Sequence, residues 1–126
     1  MSFLLDTHVI WWAFAEPERL RPSVATLLTR PGSGLHYSPL SLFELAAKRA
    51  KGRLAFDDEV ILGGLAEMRL RELPVRTEHA LRAAALPNHH RDPFDRLLLA
   101  QALEEGMTLI SRDRQIRLYD AAVMEA

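Results

Sequence analysis

The chain has 126 residues, 48% of them apolar and 26% charged, with a formal net charge of −1 and no cysteine. That length supports one domain, residues 1–126, with a substantial hydrophobic core. The composition excludes a disulfide framework and a thiolate metal site, and no apolar run approaches the roughly 18 residues of a membrane span.

Phe3-Leu4-Leu5 reads as a short buried strand ending at Asp6. Its position leaves no room for a signal peptide, and the lack of cysteine fits a reducing cytoplasm. Thr7 is expected to cap a helix through Val9, Ile10, Trp11, Trp12 and Phe14, which Pro17 ends. A second helix is expected from Pro22 to Leu28, before a turn at Pro31-Gly32-Ser33-Gly34. Leu35 to Tyr37 reads as a strand. Ser38 and Pro39 then form an N-cap and first-position pair for a helix to Lys51. Asp57 or Asp58 caps a fourth helix, in which Gly63 and Gly64 each cost about 1 kcal/mol relative to alanine and allow close packing or a bend. Leu73 to Val75 reads as a strand, and Thr77 as the cap of a helix through Ala85. A polar loop follows, Pro87 to Arg91. Asp92 and Pro93 open the clearest helix, Phe94 to Glu105, and Gly106 stops it. Thr108 to Ser111 is the clearest strand, and a last strand includes Val123. Strands alternate with helices throughout, which predicts βαβ units, a parallel sheet and helices on both of its faces.

Four carboxylates stand out: Asp6, Glu44, Asp95 and Asp113. Each falls where an apolar run gives way to a helix, or within the first turns of one. In an open α/β sheet those places gather at the C-terminal edge of the strands, where ligands bind. Four acids in one crevice repel unless a cation lies between them, and oxygen ligands suit a hard ion, Mg²⁺ or Mn²⁺. Such a site suits metal-assisted phosphodiester hydrolysis. Each acid also has a plainer reading. Asp6 and Asp113 are reasonable N-caps, and Asp92 is best explained as one. Glu44 would close a capping box with Ser41, unless the helix starts at Ser38 and places Glu44 in its second turn. Asp95 is anchored by a helix that is strongly apolar on one side. Ser111 holds a metal-bound water or closes the turn. Part of the convergence is generic, because acids are favoured at helix starts.

The histidines, His8, His36, His79, His89 and His90, offer a competing site, but no helical i, i+4 pair or H-E-x-x-H pattern supports zinc. A partly buried structural role is the favoured reading of His8. Trp11 and Trp12 lie about 100° apart on their helix, so one is expected in the core and the other exposed as a partner-binding anchor. Basic residues cluster at Lys48 to Arg53 and at Arg112 to Arg117. The net charge does not advertise a nucleic-acid binder, although an acidic metal cluster lowers net charge without removing basic surface.

At these residues the chain resembles the PIN-domain ribonucleases. Leu4-Leu5-Asp6-Thr7-His8 followed by Trp11-Trp12 looks like their opening motif, and Ser41-Leu42-Phe43-Glu44 like their second. His90-Arg91-Asp92-Pro93-Phe94-Asp95-Arg96-Leu97-Leu98-Leu99-Ala100-Gln101-Ala102 closely resembles the third motif of VapC-type toxins, and Leu109-Ile110-Ser111-Arg112-Asp113 is similar to the fourth. Ser111 replaces the more usual threonine and keeps the hydroxyl. The resemblance implies a three-layer α/β/α sandwich with about five parallel strands. It also implies a Mg²⁺- or Mn²⁺-dependent endoribonuclease, with RNA as substrate, a small antitoxin as partner and a homodimer as assembly. Asp6, Asp95 and Asp113 would hold the metal, Glu44 would be a ligand or water-orienting base, and Thr7 and Ser111 would support them. Two rivals remain, a PIN-like binding module without catalysis and an aspartyl phosphotransferase. The second is disfavoured, since His8 stands where a second acid would be needed and no well-placed lysine follows a late strand.

Overall fold

The computed structural model describes residues 1–126. Its sheet is built from β1 (Ser2–Leu5), β2 (Gly34–Tyr37), β3 (Arg71–Glu72), β4 (Thr108–Ser111) and β5 (Val123–Glu125), all parallel, in the order β3-β2-β1-β4-β5. The helices are α1 (Thr7–Ala15), α2 (Pro22–Thr29), α3 (Pro39–Ala50), α4 (Asp58–Glu67), α5 (Thr77–Ala85) and α6 (Pro93–Glu105). No helix is long and apolar enough to cross a membrane.

Strand alternation explains the three layers. Successive side chains of a strand point to opposite faces. Phe3 and Leu5 of β1 therefore join a core with Val9, Ile10, Val24, Leu45, Ile61 and Leu65, drawn from α1 to α4. Leu4 joins a second core with Leu98, Leu99 and Ala102 of α6, Leu109 and Ile116. The central strands are apolar on both faces because helices cover both. The chain moves outward from β1 through β2 to β3, then returns to the other side of β1 with β4 and β5. The strand order thus reverses between β1 and β4, and the carboxyl ends of those two strands flank the switch point where such sheets hold ligands.

Most expected elements are present, with local corrections. The strand expected at Leu73 to Val75 lies at Arg71–Glu72. Leu73 is buried and its N–H still donates to the Tyr37 carbonyl at 2.8 Å, but Pro74 has no N–H and ends the ladder. Thr7 is not the cap of α1. Asp6 is, its Oδ1 accepting the Thr7 N–H at 2.7 Å. Likewise Arg76 rather than Thr77 precedes α5, and its N–H donates to Nδ1 of the buried His79 at 2.9 Å. Of the two glycines in α4, Gly64 provides the close packing. A Cβ there would lie 2.6 Å from Cδ1 of Phe14 on α1, whereas one at Gly63 would meet nothing within 4 Å.

Candidate active site

Four separate segments deliver the acids. Asp6 continues β1, its N–H donating to the Ile110 carbonyl of β4 at 3.0 Å, so the ladder itself fixes where its side chain begins. Asp113 follows β4. Asp95 lies in the first turn of α6, and Asp92 is the cap of that helix, its Oδ1 accepting the Phe94 N–H at 2.9 Å. Ser38 caps α3 by accepting the Leu40 N–H at 3.2 Å. Glu44 therefore falls in the second turn, and no capping box forms with Ser41.

Hydroxyl groups lock the carboxylates. Asp6, only 3% exposed, accepts the Ser111 hydroxyl on Oδ2 at 2.6 Å and the Thr7 N–H on Oδ1. Ser111 Oγ also accepts the Asp113 N–H at 3.0 Å, so one buried hydroxyl joins two of the acids. Thr7 Oγ1 lies 2.8 Å from Glu44 Oε1 and 3.0 Å from Ser41 Oγ. Thr7 and Ser111 are thus in contact with the acids, as expected from the sequence.

His90 closes the other side. Its Nε2 lies 2.7 Å from Asp113 Oδ2 and 2.9 Å from Asp95 Oδ2. Its Nδ1 accepts the Asp92 N–H at 3.1 Å, which turns Nε2 toward the two carboxylates. The loop carrying it is pinned from α6. Arg96 donates through Nη2 to the carbonyls of Ala83 and Leu86, both at 2.8 Å, and through Nη1 to that of Pro87 at 3.0 Å. Tyr119 donates its hydroxyl to the Pro87 carbonyl at 2.6 Å and accepts the His90 N–H at 3.0 Å. These contacts join residues 9 or more positions apart, so local pattern places His90 in a polar loop without showing what pins it.

The electrostatics are those of crowded acids with too few cations. Burial raises the Asp6 and Glu44 carboxyls, opposed by the Ser111 and Thr7 hydrogen bonds respectively. Asp95 is pushed up to about 8, first by burial and then by the charges of Asp6, Asp92, Glu44 and Asp113. The donor set, carboxylate oxygens with one imidazole nitrogen, fits a hard divalent ion. The ligand atoms of His90, Asp95 and Asp113 all lie within 4.8 Å of one another.

One tryptophan is in the core as expected, but the other is not exposed. Trp12 is buried at 8% exposure beneath the guanidinium groups of Arg19 and Arg112, while Trp11 is half-buried against Phe14 and Phe56. Neither indole is an exposed anchor, because arginine and aromatic side chains from distant segments cover both. His8, expected to be partly buried, is exposed.

Comparison with known proteins agrees with this architecture. The PIN domain family model matches residues 3–122. The chain is 37% identical over 121 residues to Ribonuclease VapC22 of Mycobacterium tuberculosis, covering 94% of this chain and 92% of that one. Its fold is similar to that of VapBC2 from Rickettsia felis bound to a promoter DNA fragment, with a TM-score of 0.74 at 16% identity over 99% of this chain and 98% of that one. It is also similar to FitAcB from Neisseria gonorrhoeae, with a TM-score of 0.65 at 23% identity over 97% and 96% of the two chains. With the parallel five-stranded sheet and acids at its switch point, the matches over nearly the whole length place this chain in the PIN-domain family.

Proposed function

We propose that residues 1–126 act as one metal-dependent endoribonuclease unit, the toxin of a toxin–antitoxin pair working in the cytoplasm. The observation that carries this reading is the convergence of four acids from β1, α3, α6 and the end of β4 on one partly buried site. In it Asp6, Asp95 and Asp113 hold Mg²⁺ or Mn²⁺, with Glu44 as a further ligand or as the base that orients the attacking water. The bound ion would acidify water and offset charge building on the phosphodiester oxygens.

The protein's own groups prepare for this. Ser111 and the Thr7 amide hold Asp6 in one orientation, so the carboxylate need not reorganise. Thr7 aims Glu44, whose burial raises its carboxyl and makes it a better proton acceptor than an exposed glutamate. Asp95, held up at about 8, would have to lose its proton to act as a ligand, so cation binding there would release a proton. His90 Nε2 lies within hydrogen-bond reach of both Asp95 and Asp113.

VapC22 is a ribonuclease, and VapBC2 is a complex crystallised on DNA. By analogy we assign this chain an RNA substrate, a small antitoxin and a homodimeric assembly. The test is incubation of partner-free protein with total RNA in Mn²⁺, Mg²⁺ or EDTA, beside Asp6→Asn. Cutting that needs the metal and is lost in the variant supports the nuclease. Folded, metal-bound protein that leaves all RNA intact would favour a binding module instead.

A further inference from the structure

A second feature adjoins the acids. A cleft of about 300 Å³ is lined by Asp6, His8, Trp12, Arg112 and Asp113. It therefore carries two acids of the candidate active site and two groups of opposite character. A neighbouring cleft of about 200 Å³ shares His8 and Trp12 and adds Arg19 and Lys48, with Glu16 3.9 Å from Arg19.

The basic groups are held in place. The Arg112 guanidinium lies 4.4 Å from the Trp12 ring centroid, and that of Arg19 lies 4.7 Å from the same centroid. Arg112 donates through Nε and Nη2 to the Ala126 main-chain oxygen at 2.9 and 2.7 Å, and through Nη2 to the Arg19 carbonyl. Its Nη1 has no partner in the protein, and no side-chain carboxylate lies within 4 Å of the group. Trp12 thus serves as a platform beneath a guanidinium whose Nη1 alone is left to meet a phosphate oxygen. His8 is exposed, stands 5.9 Å ring to ring from Trp12, and forms no hydrogen bond within the protein. Although Asp6 and Asp113 line the same cleft, neither pairs with Arg112 or His8. Arg112 and the two acids face one cleft without pairing, which leaves room for a ligand. A single-stranded polyanion with one phosphate at the acids would bring a neighbouring phosphate into the cleft that Arg112 lines.

We propose that Arg112 and His8, ordered around Trp12, bind the phosphate of the nucleotide adjoining the scissile one in single-stranded RNA. This subsite rests on the nuclease reading but is tested separately from it. Binding of a fluorescein-labelled, mixed-sequence RNA of about 12 nucleotides is followed by anisotropy with Ca²⁺ in place of Mn²⁺, at several salt concentrations. His8→Gln removes a ring that makes no hydrogen bond within the protein, Arg112→Gln removes the charge, and Arg112→Lys restores it. We expect each glutamine variant to bind roughly tenfold more weakly, and in Arg112→Gln the slope of log affinity against log salt to be smaller by about 0.7. Arg112→Lys should recover part of both, and in Mn²⁺ the loss of cleavage should fall mainly on KM. Unchanged affinity and salt slope in both glutamine variants would overturn the subsite, even if RNA is still cut. So would competition at the cleft by a poly-glutamate peptide that leaves RNA binding untouched. RNA binding that depends on Arg112 in a protein that never cuts would sustain the subsite and refute the nuclease.

Discussion

Asp95 should destabilise the cation-free protein, and replacing it with asparagine should make that protein more stable. An aspartate ionises near 3.8 in the unfolded chain, whereas Asp95 in the fold is pushed up to about 8 by burial and four neighbouring acids. Between those values the unfolded chain binds fewer protons at this position than the folded one, so stability falls as pH rises from about 4 towards 8. At pH 7 the gap from 3.8 is about three pH units, which at 1.36 kcal/mol each is about 4 kcal/mol. The side chain keeps 15% of its exposure, and screening by that water reduces the figure to about 2 kcal/mol. Asparagine retains an oxygen to accept the His90 Nε2–H and has no charge to repel the other acids. Urea unfolding in EDTA at pH 5 and pH 7 reads the effect directly. Wild type should lose stability over that range, and Asp95→Asn should lose much less and be the more stable protein at pH 7. An Asp95→Asn variant equal to or weaker than wild type, with the same pH slope, would refute the claim that the acids are in strain without a cation.

Ser111→Ala leaves the Asp6 carboxylate and the Asp113 N–H without their shared partner and should cost about 1–3 kcal/mol in thermal or urea unfolding. The lost bond was lowering the Asp6 carboxyl, so Mn²⁺ affinity in a calorimetric titration should fall about tenfold or more, and further at pH 6 than at pH 8. Arg96→Met frees the carbonyls of Ala83, Leu86 and Pro87 and should cost about 2 kcal/mol, with faster amide exchange at His90 as its signature. Gly63→Ala meets no neighbour and should stabilise α4 by up to about 1 kcal/mol, whereas Gly64→Ala drives a methyl into the Phe14 ring and should destabilise by about 1–3 kcal/mol. Denaturant midpoints of the two variants should move in opposite directions.

The features legible in the sequence were those written in local pattern. Phe3-Leu4-Leu5-Asp6 shows a buried strand ending in an acid, and Asp92-Pro93 followed by an apolar stripe shows α6 and its cap. The placement of four acids at strand ends and helix starts was enough to anticipate their meeting, because the sheet geometry does the gathering. What depended on distant chain was hidden. Trp12 is covered by Arg112, one hundred residues on, so no helical periodicity could show that its indole is a platform rather than an anchor. His90 reads as a loop residue until Arg96 and Tyr119 pin its backbone against α5 and bring its ring to Asp95 and Asp113. Strand β3 was displaced because the apolar Leu73 to Val75 run signals burial, while the ladder depends on an N–H that Pro74 lacks.

The central claim is that Asp6, Asp95 and Asp113 form one cation site completed by Glu44. Mn²⁺ titration of wild type, Asp6→Asn and Asp113→Asn, followed by the ion's electron paramagnetic resonance signal, tests it most directly. We predict saturable binding to wild type, weakened at least tenfold in each variant while far-UV circular dichroism stays unchanged. Equal Mn²⁺ affinity in folded wild type and both variants would contradict the account.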